Sequence, residues 1–327
     1  MRAAFVPGPG RVEVGEFPAP VPRREGDVVV GMERASICGS DVHAVHHGFL
    51  KPEGVGRPGY PGHEGVGTVL ESRSSAFAPG DRVLTVPVVG GCFAEQQLVS
   101  EHHLVPLPPD GDPARLLMAQ QYGTTLFAMR LFAPAGPVAT AAVVGAGSAG
   151  LFFLQQLRRL GAARVVVSDR SPARLAVARR LGADVTVLAP GESLVEAVHE
   201  LTGGVGADLV VEAVGLDATR AEAVAAVRVQ GTVGCFGFPE RFGDAPFPTY
   251  AAYRKSARVL FASGAQGEPG LRAFRDAVEH VAAGRVEVDH CLGSDFPLEE
   301  VPEALEAARD LGRGAVKIGI DITGAAR

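Results

Sequence analysis

Apolar and polar positions follow two different patterns along this 327-residue chain. Before about residue 137 the apolar runs are short and strand-like, at 11–14, 27–30, 67–70, 82–86 and 97–99. Pro-Gly and Gly-Asp turn signals separate them, and proline, glycine and histidine are frequent. Short runs between turn residues predict a compact β-rich domain. From Val138 the pattern changes. Strands are predicted over 142–144, 164–168, 185–188, 209–211, 232–238 and 259–262. Helices are predicted between them over 148–160, 172–181, 193–201 and 218–227. Strand–helix alternation at this spacing predicts an α/β fold with a doubly wound parallel sheet. A helix over 271–283 closes that domain, and the tail adds a helix over 298–311 with an acidic first turn and a strand over 316–320.

Composition removes some classes of function. Hydrophobic residues are 46% and charged residues 21%, as in a folded globular protein. The net charge of −6 disfavours nucleic acid and anionic membrane surfaces as partners. Cys38, Cys92, Cys235 and Cys291 are scattered without a CxxC pair, which predicts free thiols in a reducing compartment. The start, MRAAFVPGPGRVEV, alternates like strand and turn and lacks the order of a signal peptide. The longest apolar run, 141–154, is broken by Gly145, Gly147 and Gly150 and is too short to span a bilayer. A cytoplasmic location is therefore expected.

One apolar run holds two amides side by side, Gln120 and Gln121. A buried amide without partners costs about 1–3 kcal/mol. Either the pair lies on an exposed helix face, or one member faces a site that needs a neutral polar group.

The stretch Val143-Val144-Gly145-Ala146-Gly147-Ser148-Ala149-Gly150 ends a predicted strand and opens a predicted helix. This is the context in which GxGxxG binds a dinucleotide, and Asp169 ends the next strand about 20 residues later. Gly145 permits the tight turn, Gly147 the approach of the pyrophosphate, and Gly150 the packing of helix on strand. The helix N-terminus at Ser148 and Ala149 then offers N–H groups and a positive dipole end to the phosphates. Asp169 is expected to accept hydrogen bonds from the adenosine ribose, which favours NAD and repels a 2′-phosphate. Arg170 and Arg174 keep NADP open. Val214, Gly215 and Gly237 follow later strands of the sheet and are expected to lie against the cofactor.

The first domain carries CGSDVH at 38–43 and GHEGVG at 62–67. Cys38, His63 and Glu64 together offer thiolate, imidazole and carboxylate, a donor set suited to zinc. With these motifs the chain resembles the medium-chain dehydrogenase/reductase family, nearest to its sorbitol- and glucose-dehydrogenase branch. GDRV at 80–83, GAGSAG at 145–150, ADLVVEAVG at 207–215 and FPLEEVPEAL at 296–305 extend the resemblance over nearly the whole length. It implies a GroES-like catalytic domain built from residues 1–137 and 285–327, with a Rossmann domain over 138–284 between them. It also implies a catalytic zinc, with hydride passing between the nicotinamide and an alcohol or carbonyl held at that zinc.

Carried over residue by residue, the resemblance makes Cys38 and His63 zinc ligands and Glu64 a ligand or near-ligand. Asp41 becomes the carboxylate that orients His63, and Ser40 and His43 become the hydroxyl and imidazole of a proton relay. Many zinc members place four closely spaced cysteines after GDRV for a second, structural zinc. Here Cys92 stands alone in that region, so one zinc per chain is expected. The position where relatives carry a cysteine or glutamate near the zinc falls on Gln120. Zn²⁺ with Cys38 thiolate, neutral His63 and Glu64 carboxylate is neutral, and a glutamine at 120 leaves that count unchanged. Its amide both donates and accepts, which suits a substrate with neighbouring hydroxyls.

The leading expectation is a zinc-dependent dehydrogenase of a secondary alcohol, such as a polyol, sugar or cyclitol, acting as a homodimer or homotetramer. A zinc-free quinone or enoyl reductase of the same fold is the second reading, and a non-catalytic NAD(H)-binding protein the third. His46 and His47 line the site's mouth or an exposed loop, and Tyr122 touches substrate or packs in the core.

Overall fold

The computed structural model describes residues 1–323, and the chain folds as two compact units. The first is formed by Met1–Thr124 together with the chain from Ala265 onward, and the second by Thr125–Gly264.

In the first unit a hairpin of β1 (Arg2–Gly8) and β2 (Arg11–Glu16) precedes the long strand β3 (Asp27–Ile37), helix α1 (Gly39–His46) and strand β4 (Gly65–Ser72). Strands β5 (Arg82–Thr85), β6 (Gln96–Ser100) and β7 (Leu104–Pro106) follow, then helix α2 (Pro113–Phe132), along which the chain passes to the second unit.

The second unit alternates strictly: β8 (Thr140–Val144), α3 (Ser148–Arg159), β9 (Arg164–Asp169), α4 (Pro172–Arg180), β10 (Val185–Leu188), α5 (Leu194–Thr202), β11 (Ala207–Glu212), α6 (Asp217–Ala226), β12 (Val227–Cys235), α7 (Thr249–Lys255) and β13 (Arg258–Phe261). Back in the first unit come α8 (Arg272–Ala282), β14 (Asp295–Pro297), α9 (Val301–Arg309) and β15 (Ile318–Asp321).

The seven-stranded sheet of the first unit runs β14-β15-β3-β4-β5-β7, with β6 also paired to β3. The C-terminal strand β15 completes it by pairing antiparallel with β3, Ile320 opposite Ala35. Val28, Val30 and Met32 of β3 share one core with Val301 and Leu305 of α9 and Ile318 and Ile320 of β15. Val28, Val30 and Met32 stand at every second residue of β3, so their side chains share one face of the strand.

The second unit has six parallel strands in the order β10-β9-β8-β11-β12-β13. This is the Rossmann order 3-2-1-4-5-6, in which the strand order reverses between β8 and β11. Its central strands are apolar runs such as VVV at 165–167, fully buried because helices cover both faces. Ser171 and Ser193 cap α4 and α5 by accepting the N–H groups of Arg174 and Glu196. Lys255 closes the end of α6, its ammonium donating to the carbonyls of Val224, Ala225 and Val227 at 3.0, 2.6 and 2.6 Å. The expected α/β class, with one β-rich part and one doubly wound part, is the observed one. No helix among the described residues is long and apolar enough to cross a membrane.

By their contacts the two units exchange at 124/125 and 264/265, whereas the sequence reading divides the domains at 137/138 and 284/285. Packing explains the second shift. The helix expected to close the cofactor domain, α8, lies instead against the first unit. A Cβ at Gly123 would stand 2.6 Å from the Phe274 ring, and Tyr122 Oη lies 3.2 Å from His280 Nδ1. The predicted helix 298–311 is shorter in the structure: Leu298–Glu300 form a 3-10 turn, α9 ends at Arg309, and Leu311 has a φ of +49°.

Candidate metal centre and cofactor turn

Strand β3 delivers Ile37, and the chain turns into α1 with Cys38 as its N-terminal cap residue. The Cys38 N–H donates to Asp41 Oδ2 at 2.9 Å, and the Asp41 N–H donates to the Cys38 carbonyl at 3.0 Å. The other Asp41 oxygen lies 2.8 Å from His63 Nδ1. Asp41 is only 1% exposed, so one buried carboxylate fixes both the Cys38 backbone and the His63 ring. With Nδ1 so engaged, Nε2 is the ring nitrogen left to face a metal. Ligand atoms of Cys38, His63 and Glu64 lie within 4.8 Å of one another, the one such cluster among the described residues.

Glu64 has two differently placed oxygens. Oε2 accepts from Ser36 Oγ and from Lys317 Nζ, the latter at 2.5 Å. Oε1 is buried and has no hydrogen-bond partner. An orphaned buried carboxylate oxygen is costly, and a cation beside Cys38 and His63 would satisfy it. The electrostatics point the same way. Burial disfavours charge on His63, yet Asp41 and Cys38 hold its pKa well above the ordinary imidazole value. Burial pushes Glu64 up, but Lys317 and His63 prevail and keep its carboxyl below the ordinary value. Burial likewise opposes the Lys317 charge, and Glu64 and Cys38 raise its pKa. The residues present therefore fit a bound zinc.

Lys317 was not among the residues singled out from sequence. It stands immediately before β15 as the one charge in the apolar run 315–320, a signal that marks either an exposed edge or a buried pair. Its ammonium also donates to Gln121 Oε1 at 2.9 Å. Of the two adjacent amides, then, Gln121 is the one tied to Glu64 through Lys317. Both are buried, Gln120 at 2% and Gln121 at 6%, so the exposed-face reading of this pair is excluded. The Gln120 carbonyl accepts from Thr124 Oγ1 at 3.1 Å. Lys317 adds one positive charge and buried Asp41 one negative charge, so the cluster with zinc would still be neutral.

Ser40 and His43 are half-buried on α1, three residues apart and so on one helix face. The His43 ring centroid is 4.9 Å from that of His47 and 5.6 Å from that of Phe49. His46 Nε2 lies 3.5 Å from Glu306 of α9, and Tyr122 packs in the interior at 1% exposed. Cys92 is buried between Thr85 Oγ1 at 3.2 Å and Gln97 Oε1 at 3.8 Å, and burial pushes its thiol up to about 12.

In the second unit the turn after β8 is built for close approach. Gly145 has φ +96°, and its N–H donates to the Ser168 carbonyl at 2.8 Å. A Cβ at Gly150 would lie 1.8 Å from the Gly145 carbonyl oxygen, so only glycine lets α3 start there. Gly147 caps α3, and Ser148, Ala149 and Gly150 form its first turn. Asp169, at the end of β9, ties this turn down: Oδ2 accepts from the Ala146 N–H at 2.7 Å and Oδ1 from the Ser171 N–H at 2.8 Å. Arg170 is exposed. Arg174 is half-buried, with its Nη1 4.0 Å from where a Gly147 Cβ would be.

Glu212, at the end of β11, was also missed. It is fully buried, and Oε1 accepts from the N–H groups of Val214 and Gly215 and from Thr219 Oγ1 at 2.8, 2.7 and 2.9 Å. Its carbonyl accepts from Phe236 and Gly237 at 2.8 and 3.0 Å. One residue thus fixes both segments that follow β11 and β12, including Val214, which is 37% exposed, and Gly237.

Known proteins share this arrangement. Residues 24–109 match the alcohol dehydrogenase GroES-like domain, and residues 149–283 match the zinc-binding dehydrogenase domain. Sorbitol dehydrogenase of Bos taurus is 27% identical, with 93% of this chain and 92% of that protein covered. L-threonine 3-dehydrogenase of Bacillus velezensis is 26% identical, covering 89% of this chain and 90% of that one. Among solved structures, an alcohol dehydrogenase of Thermus sp. ATN1 superimposes with a TM-score of 0.84 at 28% identity, over 98% of this chain and 99% of that one. The two domain matches together span more than half of the chain, and with the donor cluster and the glycine turn they place it in the zinc-type medium-chain dehydrogenase/reductase family, among the alcohol dehydrogenase-like proteins.

Proposed function

We propose that this alcohol dehydrogenase-type oxidoreductase uses one zinc ion and a nicotinamide dinucleotide, NAD in preference to NADP, to interconvert a secondary alcohol and its ketone. A polyol, sugar or cyclitol is the substrate class. The observation that carries this reading is the unpartnered, buried Oε1 of Glu64 within a cluster that includes Cys38 and His63. Zinc would supply a Lewis acid for the reacting oxygen, and the nicotinamide would take up or return hydride.

The protein's own residues do the rest. Cys38, His63 and Glu64 hold the metal. Asp41 keeps the proton on His63 Nδ1 and so presents Nε2 as a donor. Ser40 and His43 carry the alcohol proton outward along one face of α1. Gln120 meets the substrate's neighbouring hydroxyls as a neutral donor and acceptor. In the second unit the N–H groups of Ser148, Ala149 and Gly150 face the pyrophosphate, and Asp169 accepts from the ribose hydroxyls.

The name of one relative, sorbitol dehydrogenase, agrees with this class, whereas L-threonine 3-dehydrogenase is named for a substrate outside it. A second copy of the chain is the expected partner, met along the open edge of β13. Phe261 there is 64% exposed, and Tyr250 and Tyr253 of the preceding helix are 77% and 78% exposed. The test is a screen of NAD⁺ reduction over polyols, cyclitols, sugars, amino alcohols and simple alcohols, with and without a zinc chelator. A zinc-dependent rate on one of the first three classes supports the reading. Chelator-insensitive turnover, or cofactor binding without turnover of any of them, overturns it.

A further inference from the structure

Gln121 takes no part in the proposed chemistry, yet it is 6% exposed, on α2, and bonded to Lys317, the lysine paired with Glu64. Lys317 is 5% exposed, Glu64 1% and Ser36 1%, so all four side chains of this group sit inside the first unit away from water. The order of bonds is directional. Gln121 Oε1 accepts from Lys317 Nζ at 2.9 Å, Lys317 Nζ pairs with Glu64 Oε2 at 2.5 Å, and Ser36 Oγ donates to that same oxygen. Every bond to the Glu64 carboxylate is on Oε2, and Oε1 is left over.

A lysine ammonium on a four-carbon stem is a mobile point charge with three donors. Held only by Glu64, it could slide to bridge both carboxylate oxygens, which would place it between Oε1 and a metal. A second acceptor, the Gln121 amide oxygen, restrains this movement, and the nature of that acceptor matters. A carboxylate at 121 would hold the ammonium at least as firmly and draw part of its charge away from Glu64. An amide oxygen anchors the ammonium by a hydrogen bond and leaves its charge to Glu64.

We propose that Gln121 is a positioning residue for the metal centre: its amide oxygen anchors Lys317 on Glu64 Oε2, so that Oε1 stays free to ligate. The proposal rests on the reading that Cys38, His63 and Glu64 hold zinc. It also accounts for the second amide of the Gln120-Gln121 pair.

The test uses the full chain, stripped of metal, and measures zinc affinity by competition with a chromophoric chelator. The visible absorption of the cobalt(II)-loaded protein serves as a second readout. Gln121→Met keeps the length of the side chain and removes the strong acceptor. It should weaken zinc binding about tenfold or more, the usual effect of losing a partner that orients a ligand, and shift the cobalt bands. Gln121→Glu keeps an acceptor at the same reach and should bind zinc at least as tightly as wild type. Zinc affinity unchanged in Gln121→Met, or lowered alike in both variants as packing damage would do, overturns the proposal. Glu64→Gln separates this outcome from failure of the underlying reading. If wild type binds zinc and Glu64→Gln binds it more weakly while Gln121→Met does not, only the role of Gln121 falls. If wild type takes up no zinc, or Glu64→Gln binds as wild type does, the ligand set falls and the proposal with it.

Discussion

Lys317 Nζ lies 2.5 Å from Glu64 Oε2, and the two side chains are 3% and 1% exposed. A buried pair of this kind is worth little over an apolar pair of the same volume, but breaking it strands a charge. Lys317→Met should therefore destabilise the metal-free protein by about 3–5 kcal/mol, and Lys317→Met with Glu64→Gln by less. The pH dependence follows in sign. Glu64 is held below the ordinary carboxylate value, so its contribution is present above that value and lost as pH falls through the depressed one. Lys317 is held above the ordinary lysine value, so its contribution is present below that value and lost as pH rises through the raised one. Denaturant midpoints measured across pH should show both losses in wild type. The alkaline loss should be missing in Lys317→Met.

Metal content should be close to one zinc per chain. Cys92 is committed to Thr85 and Gln97, and its thiol is pushed up to about 12 by burial, so it offers no thiolate for a second ion. Elemental analysis of the natively purified protein checks this, with Cys38→Ala as the variant that loses the ion. Two zinc ions per wild-type chain would contradict it.

Gln120→Glu should move the pH profile of kcat. Lys317 and Asp41 offset one another, so the cluster with zinc is neutral and an added carboxylate makes it negative. The apparent pKa of the step should rise by about one unit, because a nearby like charge disfavours deprotonation. An unmoved profile would show that residue 120 does not act through its charge.

Asp169 holds the Ala146 and Ser171 N–H groups as well as standing where the ribose is expected, so its removal and its neutralisation should differ. Asp169→Asn keeps one acceptor oxygen and removes the charge. The ratio of kcat/KM for NAD to that for NADP should fall about tenfold or more, and Asp169→Ala should lose activity with both cofactors. Equal ratios in wild type and Asp169→Asn would remove Asp169 as the discriminating residue and leave Arg170 and Arg174.

An open strand edge flanked by exposed aromatic side chains is a surface for pairing. Phe261→Lys at the end of β13 should shift the sedimentation coefficient from dimer toward monomer at micromolar concentration. A wild-type protein that already sediments as a monomer would contradict the assignment of this edge.

The chemistry-bearing motifs were legible in the sequence because their geometry is local. Cys38 and Asp41 meet across the first turn of α1, His63 and Glu64 are neighbours, and Gly145, Gly147 and Gly150 shape one strand-to-helix turn. The Rossmann alternation was legible because parallel strands buried on both faces read as unbroken apolar runs. Tertiary structure alone decided the rest. Gln121 and Lys317 are 196 residues apart, and no spacing in the chain announces that they meet on Glu64. The role of α8 was hidden for a similar reason. An amphipathic helix declares that it covers something, but only Phe274 seated against Gly123 shows that it covers the first unit. Local bonds follow from residue order, whereas a buried charge finds its partner only when distant segments close around it and water is excluded.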